Sequence, residues 1–128
     1  MTSHRNATVW LDHQEARIFH VDLDGADASK LGEAHHHVHR HPKGTAAHDH
    51  PDDQKRFFGE IARALDDAEQ VLVVGPSTAK LQFLKFVHAH DHKLEPKIVG
   101  VETVDHPTDG QLVAFAKRYF HVEALRVK

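Results

Sequence analysis

The 128-residue chain contains no cysteine. That absence excludes a disulfide scaffold, a thiolate zinc site, an iron–sulfur cluster and a cysteine nucleophile. No apolar run approaches the ~20 residues needed to span a bilayer, so an integral membrane protein is not expected. The opening stretch MTSHRNATVWLDH has no basic region followed by an apolar one; no secretory signal is read there, and the expected compartment is the cytoplasm. There is no Gly-x-Ser-x-Gly motif, and Ser3, Ser29 and Ser77 stand in no distinctive nucleophile context. A fixed excess of positive charge is also missing, since the formal charge is −3 with histidine neutral.

What the chain has in excess is histidine, 15 residues. Imidazole ordinarily titrates near pH ~6.5. Protonating all fifteen would carry the formal charge from −3 to +12, so an anionic partner should be held more tightly as the pH falls. At 14.5 kDa, with 40% hydrophobic and 27% charged residues, the rest reads as one ordinary globular domain with one core, covering residues 1–128.

Along the chain, ATVWLD (7–12) and EARIFHVD (15–22) read as a β-hairpin turning at His13-Gln14. In the second run Ala16, Ile18 and His20 alternate with Arg17, Phe19 and Val21, giving apolar groups on both faces. Asp24-Gly25 turns the chain, and 29–34 is a third strand or the approach to one. Residues 35–43, HHHVHRHPK, hold five His, one Arg and one Lys with no acid. If extended, this run puts His35, His37, His39 and His41 on one face, with His36, Val38 and Arg40 on the other. Pro51 then opens a helix in which Phe57, Ile61 and Leu65 recur every four residues beside Phe58 and Ala62. QVLVV (70–74) is a strand buried on both faces, and Gly75-Pro76-Ser77 turns it into a helix from Thr78 to about His90, with Ser77 as cap. The many large apolar residues of that helix imply burial over more than one stripe. KIVGVETV (97–104) is a further strand. Thr108-Asp109-Gly110-Gln111 has capping-box form and opens a helix with Leu112, Phe115, Ala116 and Tyr119 on one face. The class is α/β: a mixed sheet, antiparallel strands first, then α-β-α-β-α, flanked by helices.

The histidine run carries two chemistries. With Arg40 and Lys43 it forms a basic strand and loop over 35–50 suited to phosphate contact. Alternate residues of a strand lie ~7 Å apart, so its imidazoles can also converge on zinc or nickel, with His35, His37, His39, His41, His48 and His50 as donors. No carboxylate accompanies the run locally, Glu33 being the nearest in sequence. Lys80 and Lys85 are secondary candidates for phosphate contact. The turn before Lys80 is no P-loop, because no second glycine precedes the lysine. Asp12, Asp105 and Asp109 are the carboxylates a metal-dependent nuclease would need, although nothing in their spacing brings them together. His88 and His90 suit the C-terminal dipole of their helix.

In order along roughly residues 7–120, four segments resemble the central domain of Pelota and of archaeal and eukaryotic class-I peptide-release factors: the hairpin ATVWLDHQEARIFHVD, the basic HHHVHRHPKG, the run PDDQKRFFGEIARALDDAEQVLVVGPSTAKLQF, and VGVETVDHPTDGQLVAF. A similar pattern is seen in small stand-alone bacterial release-factor-like proteins. The resemblance implies an RNase H-like sheet and a role beside the ribosome. It also marks a departure. Release factors carry a Gly-Gly-Gln loop after the basic strand, whereas HRHPKGTAAHDHPDD has one Gly and no Gln. The expected function is therefore non-catalytic: a ribosome-, rRNA- or tRNA-contacting domain using His35, His37, His39, Arg40, His41, Lys43 and Lys80, with no cofactor required. A homodimer through a sheet edge is a further expectation.

Overall fold

The computed structural model describes residues 6–21, 36–39 and 51–126. Strands β1 (Asn6–Leu11), β2 (Glu15–Val21), β3 (His36–His39), β4 (Gln70–Gly75) and β5 (Ile98–Thr103) form one sheet in the order β3-β2-β1-β4-β5. The β1–β2 and β2–β3 pairs are antiparallel; β1–β4 and β4–β5 are parallel. The α/β class and the antiparallel-then-parallel sheet are as expected. The stretch at 29–34 lies outside the described residues. No helix among the described residues is long and apolar enough to cross a membrane.

Strand β1 is central, and all six of its residues are buried. Its alternation divides the core. Ala7, Val9 and Leu11 join Ala16, Ile18 and Val38 under the helices α1 (Pro51–Ala64) and α2 (Ala79–His90), where Phe57, Phe58, Ile61, Phe83 and Val87 close the layer. Trp10 joins Phe19, Val21, Leu72 and Val74 on the opposite face, under Leu112, Val113, Ala116 and Phe120 of α3 (Asp109–Arg126). A parallel sheet needs such cover on both sides, which is why QVLVV is apolar without alternation.

Two glycines permit close approaches. A Cβ on Gly75 would stand 2.2 Å from the Leu11 carbonyl oxygen, where β4 ends beside β1. One on Gly100 would stand 1.9 Å from the Tyr119 hydroxyl, which donates to the Val99 carbonyl. The capping box forms as read: Gln111 N–H donates to Thr108 Oγ1 at 3.1 Å, and Thr108 N–H to Gln111 Oε1 at 3.0 Å.

Two expectations fail on α2. It buries one stripe, Ala79, Lys80, Phe83 and Val87, while Leu81 is 49% exposed. Leu84 and Phe86 are half-buried and pack against the same layer, Phe86 beside Phe58 of α1. Its N-cap is Thr78 rather than Ser77, and no side-chain hydrogen bond caps it.

Candidate functional site

The edge strand β3 is positioned by its one apolar residue. Val38 is 4% exposed and packs into the layer beneath α1, opposite Ala16 of β2. Because side chains alternate along a strand, burying Val38 turns His37 and His39 to the other face. Both are exposed there. The alternation read from HHVH is correct, and neither ring lies in the core.

The register adds a residue that the sequence reading missed. Glu15 pairs with His39, and Arg17 with His37. Directly opposed residues share a face, so a carboxylate stands against the imidazoles after all. The ring nitrogen Nε2 of His37 lies 2.6 Å from Glu15 Oε1, and the His37 and His39 ring centroids are 4.1 Å apart. Glu15 is held from behind by the hairpin turn. Asp12 Oδ1 accepts the N–H groups of Gln14 at 2.8 Å and Glu15 at 2.9 Å, and Asp12 N–H donates to the Glu15 carbonyl at 3.0 Å. Sequence proximity could not find Glu15, which is 22 residues from His37; only the antiparallel β2–β3 register could. Glu33, the carboxylate nearest the run in sequence, lies outside the described residues.

Arg17 shares this face but is drawn toward α3. Its guanidinium donates to Asp109 and, at 3.3 Å, to the Pro107 carbonyl, and lies 4.6 Å from the centre of the Trp10 ring. Trp10 donates its indole N–H to the Asp105 carbonyl at 2.7 Å, and the His106 ring tilts against it at 5.1 Å. This knot fastens the start of α3 to the hairpin.

The other predicted residues separate. Lys80 is 6% exposed and its ammonium donates to the Ser77 carbonyl at 2.7 Å. A buried, committed ammonium is poorly placed for a phosphate, so the expectation for Lys80 is withdrawn. Lys85 lies on an exposed position of α2. His35, Arg40, His41, Lys43, His48 and His50 lie outside the described residues. Asp12, Asp105 and Asp109 do not converge: the first holds the hairpin turn, the last is paired with Arg17, and the only trio of metal-type ligands among the described residues is Glu15, His37 and His39. The nuclease reading loses its site. His88 engages Glu95, with Nδ1 to Oε2 at 2.6 Å, and His20 faces Asp67 at 3.4 Å.

No protein-family model matches the chain, and no curated protein matches it in sequence. Solved structures do match in fold. Pelota from Archaeoglobus fulgidus superposes with a TM-score of 0.62 at 16% identity, over 98% of this chain and 36% of that one. The archaeal translation termination factor aRF1 gives 0.55 at 14% identity, over 95% of this chain and 40% of that one. Dom34 of S. cerevisiae, a translation termination-like factor, gives 0.52 at 10% identity, over 95% and 38%. The fold is that of one part of these proteins. The chain thus corresponds to well under half the length of each, and at such identities the likeness is one of architecture.

Proposed function

We propose that this chain is a cytoplasmic, translation-associated domain of the Pelota and release-factor kind that touches ribosomal or transfer RNA without hydrolysing peptidyl-tRNA. The supporting observation is the placement of β3. In a fold shared with Pelota and aRF1, it is the edge strand, and it turns His37 and His39 outward. Around it the sequence supplies His35, Arg40, His41 and Lys43, a run with no acid. Arginine and lysine hold permanent charge for phosphates, and imidazoles add charge as the pH falls. The sequence contains no Gly-Gly-Gln triplet, so the reading includes no peptide release. Glu15 stands against His37 on this edge, so His37 and His39 share RNA contact with the basic residues that flank them in sequence.

Contacts of this kind are electrostatic and weaken steeply with salt. Co-sedimentation with 70S or 80S ribosomes tests the reading. The protein should pellet with ribosomes at 50 mM salt, release toward 300 mM, and pellet more completely at pH 6 than at pH 7.5. Absence from the pellet at low salt at both pH values would overturn it.

A further inference from the structure

We propose that Glu15, His37 and His39 form a binding site for a zinc ion. One carboxylate oxygen and two imidazole nitrogens lie within 4.8 Å of one another, and all three side chains reach solvent. In a tetrahedral zinc site, bonds of ~2.0–2.1 Å put neighbouring donor atoms roughly 3.3 Å apart. The Glu15–His37 contact, at 2.6 Å, is tighter, as befits a hydrogen bond, and no pair of donors is more than 4.8 Å apart. Rotations of exposed side chains, with no movement of the sheet, bring the three donors onto one ion, which replaces the proton of that bond.

The backbone beneath is fixed. The Asp12 turn holds Glu15, Val38 anchors β3 in the core, and the β2–β3 ladder sets Glu15 against His39 and Arg17 against His37. Arg17, which shares the face of Glu15 on β2, donates to Asp109 and the Pro107 carbonyl instead. The donor set selects the ion. Calcium and magnesium favour oxygen-only sets, whereas imidazole with carboxylate suits zinc. Three protein donors leave a fourth position for water or a further ligand, the pattern of open zinc sites. The site stands on β2 and β3 geometry and does not rest on RNA binding.

Histidine-rich chains bind metal loosely through composition alone, so Glu15 is the discriminating residue. Zinc chloride is titrated calorimetrically into the full chain at pH 7.5, alongside Glu15→Gln, His37→Ala, His39→Ala and a His88→Ala control. One tight stoichiometric site is expected in the parent and in His88→Ala. Glu15→Gln should weaken it at least tenfold, and either β3 variant should abolish it. Melting curves of the same proteins give a second reading. At zinc 100-fold above Kd, the Tm of the parent should rise by roughly 10 °C, and that of Glu15→Gln by about half of that or less, with metal-free Tm values alike. Equal affinity and equal Tm rise in the parent and Glu15→Gln would overturn the site, as would only millimolar, multi-site binding in the parent. No RNA is present, so this result and ribosome co-sedimentation can fail separately.

Discussion

Strand β1 has a neighbour on each side and buries all six residues, whereas β3 has one neighbour among the described strands, buries Val38 and leaves His37 and His39 exposed. Packing dictates nearly every side chain at the centre of the sheet, and at its edge, among the described side chains, that of Val38. Residues that packing does not require are the ones free to carry chemistry. The comparison can be broken by substitutions that separate stability from binding.

The largest expected effect is at the centre. Trp10 is fully buried, donates to the Asp105 carbonyl and stacks beneath Arg17. Trp10→Ala should cost about 3–5 kcal/mol in urea unfolding, and a parent-like midpoint would show that the second core layer matters little. Gly75→Ala comes next. Its Cβ would meet the Leu11 carbonyl, backbone against backbone, so about 1–3 kcal/mol should be lost unless β4 shifts. Thr108→Ala removes half of the capping box and should cost about 1 kcal/mol by the same assay. At the other extreme, His37→Ala with His39→Ala should change stability by less than about 0.5 kcal/mol. A larger loss would mean that the edge histidines are structural, and the contrast between centre and edge would fail.

Acidity sharpens the contrast further, because the two proposed ligands respond to it with opposite sign. Protons compete with zinc for imidazole nitrogen, so zinc affinity should fall between pH 7.5 and 6. Across the same interval RNA affinity should rise, since protonated imidazoles add positive charge. Among the described residues, the groups facing His37 are Glu15 and Arg17 from β2 and His39 on its own strand. Parallel trends in both titrations would contradict the account.

The same logic explains what the sequence revealed. Strands and helices whose residues are fixed by burial were legible: QVLVV as a doubly covered strand, Phe57-Ile61-Leu65 as a helix face, and Thr108 with Gln111 as a cap. The faces of HHVH followed from alternation alone. Helix α2 was over-read, because apolar composition does not say which large residue will be left exposed, as Leu81 is. Lys80 was misjudged for the converse reason: a lysine can bury its stem and satisfy its ammonium on a nearby carbonyl. Glu15 was missed because its partnership with His37 is a matter of strand register across a connection whose length fixes nothing. The Arg17–Asp109 pair is long-range in the same way.

The central claim is that the exposed face of β3 is the working surface of the molecule. Ribosome co-sedimentation at 50 mM salt and pH 6, comparing the parent chain with the His37→Ala, His39→Ala double variant at matched Tm, tests it most directly. The account predicts a ribosome-bound parent and a several-fold smaller bound fraction for the double variant. Equal pelleting of the two proteins, or no pelleting of the parent, would contradict it.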